Sequence, residues 1–119
     1  MFVAYGNGLW VAVGGLAIRT STDAVTWVTQ TPNFGASNIF RVAYGNGLWV
    51  AGGAGGALRT STDAITWVTR TSTFGASSIV AVAHGNGLWV AGGAGGALRT
   101  STDAVTWVTQ TSQISNQLN

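Results

Sequence analysis

The sequence predicts an all-β fold made of three four-stranded antiparallel units. Three observations carry this. One segment recurs about 40 residues apart: residues 45–64 and 85–104 both read GNGLWVAGGAGGALRTSTDA, and residues 6–24 read GNGLWVAVGGLAIRTSTDA. A period of that size marks a repeat architecture. Each copy divides into four short runs of apolar and β-prone residues separated by tight-turn signals. No segment combines a helical period with start and stop signals, and the 18 glycines are too densely placed for helices.

The second copy illustrates each element in order. FRVAYGN (40–46) is an apolar, aromatic run, and Gly45-Asn46-Gly47 closes it, because Asn and Gly tolerate positive φ. LWVAGG (48–53) is the next run, broken at Ala54-Gly55-Gly56, and ALRT (57–60) is a third. Ser61-Thr62-Asp63-Ala64 reads as a turn in which side-chain oxygens satisfy backbone amides. ITWVTRT (65–71) is the fourth run, opened by its Trp, and TFGASS (73–78) leads to the next copy. Leu48 and Val50 point to one side of their strand, Trp49 and Ala51 to the other, so the sheet is apolar on both faces and needs neighbours on both. Four-stranded sheets repeated and stacked in this way are the blades of a β-propeller. A sandwich or small barrel would also use short, evenly spaced strands but leaves the 40-residue identity unexplained. The expected organisation is one unit, 1–119, with blades at 1–31, 40–71 and 79–111 and a C-terminal tail at 112–119.

Ser21-Thr22-Asp23-Ala24-Val25-Thr26-Trp27, repeated at 61–67 and 101–107, resembles the Asp-box turn, Ser/Thr-x-Asp-x-Gly-x-Thr-Trp, of the BNR or sialidase-like β-propeller repeats. The match is to a shorter variant without the usual Gly, with Ala24, Ala64 and Ala104 following the Asp. The flanking GLWVAxG…RTSTD is similar to bacterial and phage repeats of that group, and the resemblance runs to about residue 111. It implies a propeller in which Asp23, Asp63 and Asp103, with Trp27, Trp67 and Trp107, build the turn between third and fourth strands. It implies no activity, because one fold hosts many functions.

Charged residues make up only 7% of the chain, so little keeps a lone copy soluble and much of the surface should be covered. All five cations are Arg and all three acids are Asp, and the small cationic excess is not a nucleic-acid-binding patch. No apolar run reaches the ~20 residues of a membrane span, and the first residues carry no basic n-region or cleavage site. No nucleic-acid or membrane partner is expected. Without Cys there is no thiolate metal site, and His84 stands where the other copies have Tyr5 and Tyr44, an aromatic packing position. No metal, cofactor or catalytic residue is expected. If all three carboxylates are spent in turns, the pair that glycoside hydrolysis needs is missing, and the sialidase set of Arg, Tyr and extra acids does not map onto this chain. GGAGG (52–56, 92–96) lacks the Lys and the helix of a phosphate loop.

Two classes of side chain could bind ligands or simply pack. Trp10, Trp49 and Trp89, with Trp27, Trp67 and Trp107, could stack on a sugar but sit inside strands, where packing is the favoured role. Arg19, Arg59 and Arg99 could hold an anion or serve structure. The fourth-to-first-strand loops share one face with the second-to-third-strand loops. Phe34, Ser37, Asn38, Phe74, Ser77 and Ser78 are therefore the candidate ligand-binding residues, although Phe34 and Phe74 could equally plug gaps between blades.

Three blades do not close a ring. Two chains joined head to tail would make six, so the expected partner is a second copy in a homodimer. In such a ring residues 112–115 should follow the partner surface, with Ile114 in the place of Phe74 or Ile79. The expected function is a non-catalytic binding or assembly module, lectin-like in the sense that its candidate ligand is a glycan or a protein. The alternative is a purely structural or constructed repeat scaffold. A glycosidase is disfavoured.

Overall fold

The computed structural model describes residues 2–15, 17–30, 38–70, 78–93 and 97–110. They form three four-stranded antiparallel sheets, each a meander with its strands in chain order. The first sheet comprises β1 (Phe2–Gly6), β2 (Leu9–Gly14), β3 (Ala17–Ser21) and β4 (Val28–Gln30). The second comprises β5 (Ile39–Gly45), β6 (Leu48–Gly53), β7 (Leu58–Ser61) and β8 (Val68–Thr69). The third comprises β9 (Ile79–Gly85), β10 (Leu88–Gly93), β11 (Leu98–Ser101) and β12 (Val108–Gln110). The one helical element among the described residues is a 3-10 turn at Ala54–Gly56. The three sheets run from Phe2 to Gln30, Ile39 to Thr69 and Ile79 to Gln110. The tail at 112–119, with Ile114, lies outside the described residues.

The turns follow from residue chemistry. Asn7, Asn46 and Asn86 take φ of 50°, 52° and 53°, and the Gly after each takes φ of 74–77°. Two consecutive positive φ values make the two-residue turn whose twist suits an antiparallel hairpin, and Asn-Gly adopts it at least cost. Strand register runs from these turns: Gly6 pairs with Leu9, and Gly45 with Leu48.

The fourth strand is shorter than the run ITWVTRT suggests. It begins at Val68, after Trp67, and the equivalent strands begin at Val28 and Val108. The reason is that the amides of Ile65 and Thr66 are held by the Asp63 carboxylate and are lost to the ladder.

A bulge marks the start of β5 and β9. Ile39 pairs with Gly53 and Arg41 with Gly52, which leaves Phe40 as the extra residue, and Val80 is skipped in the same way. The bulge turns Ile39 and Ile79 into the gaps between sheets, where both are fully buried. A Cβ on Gly52 would stand 2.6 Å from Ile79 Cγ2, so the glycine makes room for it.

The sheets stack through their first strands, β1 against β5 and β5 against β9. Two cores result. In the first, Val11, Val13 and Ile18 of the first sheet meet Val42, Trp49, Ala51, Ala64 and Trp67 of the second. In the second, Val50 and Leu58 meet Trp89, Ala91, Ala104 and Trp107 of the third. As the alternation in LWVA predicts, Trp49 and Ala51 face one neighbour while Val50 faces the other. Ile39 joins the first core through its amide as well, donating to Gly15 O at 2.7 Å.

Candidate functional site: the Asp turns and two uncovered sheet faces

The three Asp residues have the same surroundings. Asp23 Oδ1 accepts the amides of Val25 and Thr26 at 2.9 Å each and the Ser21 hydroxyl at 3.0 Å. Ser21 Oγ accepts the amides of Asp23 at 3.2 Å and Ala24 at 2.8 Å. Asp63 with Ser61, and Asp103 with Ser101, repeat the arrangement. The Thr26 and Val25 amides, then the Ser21 hydroxyl, hold the Asp23 carboxyl below its ordinary value of 3.8. Asp63 is held down first by Thr66 and Ile65, and Asp103 by Thr106 and Val105. Such carboxylates stay ionised near neutrality, which suits an acceptor in a turn and not a proton donor. Among the described residues no cluster of three or more His, Cys, Asp or Glu could hold a metal ion.

The residue after each Asp adopts the left-handed conformation: Ala24, Ala64 and Ala104 have φ of 64°, 64° and 63°. Gly would enter this region without the Cβ penalty. Two of the alanines use their methyl groups, since Ala64 and Ala104 are fully buried between sheets. Their carbonyls accept the indole N–H of Trp67 at 3.1 Å and Trp107 at 3.2 Å, which fastens each Trp to its own turn. Ala24, in the first sheet, is exposed.

The loop candidates are only partly in view. Phe34, Ser37, Phe74 and Ser77 lie outside the described residues. Asn38 is exposed and its carbonyl accepts the Ala54 amide at 2.9 Å. This bond places Asn38, just before β5, beside Ala54, just after β6. Ser78 is half-buried in the equivalent place.

Trp49, Trp67, Trp89 and Trp107 are buried between sheets, whereas Trp10 and Trp27 are only partly covered. In every sheet an aromatic on the first strand leans on the Trp of the second: Tyr5 on Trp10, Tyr44 on Trp49 and His84 on Trp89, with ring centroids 4.6–4.8 Å apart. His84 is thus a packing residue in the position of a Tyr. The cations serve local structure where their contacts are defined. Arg41 donates to Phe40 O at 2.8 Å and covers the Phe2 ring at 4.9 Å, and Arg70 Nε donates to Thr60 Oγ1 at 3.0 Å. Gln30 and Gln110 make the same bond to Thr20 and Thr100. Arg59 donates to Leu58 O at 3.0 Å, and burial lowers its pKa.

The exposed apolar residues that differ between equivalent positions lie at the two ends of the stack. Among the described residues nine large apolar ones are exposed. Six of them form two sets of three, Val25, Ile65 and Val105 in the Asp turns and Val28, Val68 and Val108 in the fourth strands, so they belong to every sheet. The other three do not repeat. Val3 is 44% exposed where Val42 is 1%, and Tyr5 is 55% exposed where Tyr44 is half-buried; both lie on the outer face of the first sheet. Leu88 is 37% exposed on the outer face of the third sheet, whereas Leu9 and Leu48 pack against the two cores. A hollow of about 320 Å³ opens on the first of these faces, lined by Val3, Ala12, Arg19 and Trp27. The counterparts of Val3, Ala12 and Trp27 in the second sheet, Val42, Ala51 and Trp67, face the first sheet in a closed core.

The fold and this surface define a repeat protein of stacked antiparallel sheets with an uncovered apolar face at each end. No protein-family model matches the chain, and no curated protein shows significant similarity to it.

Proposed function

We propose that the chain is a non-catalytic assembly module: a propeller fragment whose three sheets act as blades and which closes with a second copy into a six-bladed ring. Any ligand, glycan or protein, would then meet the rim that carries Asn38 and Ser78. The observation that carries the reading is the unequal burial of equivalent residues. Val3, Tyr5, Ala24 and Leu88, at the two ends of the stack, are exposed, whereas Val42, Tyr44, Ala64 and Leu48 between sheets are covered wholly or in part. Each blade buries its faces solely against neighbours, so an open stack leaves apolar surface that a further blade would cover.

The Ser-x-Asp turns support kinship with the Asp-box repeats, whose turn has the same place between third and fourth strands. They also support the absence of hydrolase chemistry, because Oδ1 of each carboxylate already accepts two backbone amides and a hydroxyl within its own turn. Light scattering tests the proposal. A species of twice the 12.1 kDa chain mass is expected at micromolar concentration, and a stable monomer would overturn it. A fluorogenic sialoside should remain uncleaved.

A further inference from the structure

We infer that the uncovered face of the first sheet is filled by the third sheet of a second copy, in a register set by Tyr5 of one chain seated on Gly85 of the other. This rests on the assembly reading and specifies its junction.

The inference comes from a lock that occurs twice inside the chain. At the end of each first strand a glycine precedes the Asn-Gly turn: Gly6, Gly45 and Gly85. A Cβ placed on Gly6 would run into the Tyr44 ring, and one on Gly45 would run into the His84 ring. The rings at the ends of β5 and β9 therefore lie on the glycine of the preceding sheet. Gly6 and Gly45 are buried by this contact. Gly85 is exposed, and a Cβ there would meet nothing within 4 Å. The series Tyr44 on Gly6 and His84 on Gly45 ends with one vacant glycine, Gly85, and one unseated ring, Tyr5.

The surrounding surfaces agree with this register. Val11 and Ile18 of the first sheet, and Val50 and Leu58 of the second, are fully buried against the next sheet. Their counterparts in the third sheet, Val90 and Leu98, are half-buried, with Leu88 exposed beside them. The receiving side consists of Val3, Ala12 and Trp27 around the hollow, counterparts of the buried Val42, Ala51 and Trp67. The occupant is a second copy because the vacant side of the third sheet has the same residue types that already fill this role twice. The contact is heterologous, one end against the other, so it either closes into a ring or propagates as a filament.

The experiment uses the full chain and two blocking variants, each with its wild-type fold checked by circular dichroism. Gly85→Trp fills the vacant seat, and Gly85→Ala is a milder version. Ala12→Arg places a charge in the hollow on the opposite end. Sedimentation equilibrium measures the dimer dissociation constant. Wild-type chain should dimerise, and Gly85→Trp and Ala12→Arg should each raise the constant at least about tenfold, roughly the effect of 1.4 kcal/mol. Gly85→Ala should weaken it in the same direction. A wild-type dimer that ignores either Gly85→Trp or Ala12→Arg would overturn the junction while leaving assembly intact, since a face-to-face dimer would feel only one of them. A monomeric wild type would overturn the assembly reading itself.

Discussion

The Tyr44 ring lies across Gly6, in the space that a side chain on that residue would occupy. His84 repeats the contact on Gly45, and Gly85 faces open space. Substituting the same glycine should therefore have opposite consequences in different copies. Gly45→Ala forces His84 off its seat and should cost about 1–3 kcal/mol, the usual penalty for overpacking. Gly85→Ala should stay within about 0.5 kcal/mol for the single chain, as surface changes do. Urea denaturation, performed below the concentration at which copies associate, measures both.

The Ser-x-Asp turn supplies a second prediction. Ser61 is buried, and its Oγ accepts the buried Ala64 amide at 2.8 Å while donating to Asp63. Ser61→Ala leaves that amide without its partner, at a cost of about 1–3 kcal/mol. Ser61→Thr keeps an oxygen and should recover part of the loss. Equal melting temperatures for Ser61→Ala and wild type would mean that the turn is held by other contacts.

Acid should destabilise the fold in a narrow window. The folded pKa of Asp23, Asp63 and Asp103 is lowered by backbone amides. A depressed folded pKa contributes stability that is fully present above the unfolded value, about 3.9, and is lost as pH falls through the folded value. Stability should be level from neutrality to about pH 5 and decline below about pH 4. Denaturation curves at several pH values test this, and Asp63→Asn should flatten the decline.

Much of the local structure was legible in the sequence. Asn46-Gly47 announces a hairpin because both residues accept positive φ, and the alternation in LWVA announces a sheet buried on both sides. Ser61 and Asp63 announce a turn bonded to its own amides. The start of the fourth strand was misplaced because apolar β-prone residues such as Ile65 look like strand even when Asp63 holds their amides. The seat of Tyr44 on Gly6 was not legible. It joins residues 38 positions apart in different sheets, and nothing local distinguishes a glycine needed for a turn from one needed under a ring. Of the loop candidates, only Asn38 and Ser78 could be placed.

The alanines after each Asp should respond differently to Gly. All three sit at φ of 63–64°, where Gly relieves strain. Ala24 is exposed, so Ala24→Gly in the Gly85→Trp background should stabilise the chain by about 0.5–1 kcal/mol. Ala64 is fully buried, and losing its methyl group removes about 0.8 kcal/mol of burial, so Ala64→Gly should be near neutral or destabilising. A gain at Ala64 as large as at Ala24 would show that its methyl packs poorly.

The closed two-chain ring is tested most directly by a covalent trap. Within one chain, a Cβ on Gly6 would stand 2.7 Å from Tyr44 Cβ, closer than the roughly 3.5–4.5 Å Cβ separation of a disulfide, so the two positions must open slightly to take the bond. The chain has no cysteine of its own. A Tyr5→Cys, Gly85→Cys double variant, oxidised at micromolar concentration and run on a non-reducing denaturing gel, should give one discrete dimer that collapses to monomer on reduction. Uncrosslinked monomer would contradict the junction, and a ladder of larger species would contradict closure by two copies.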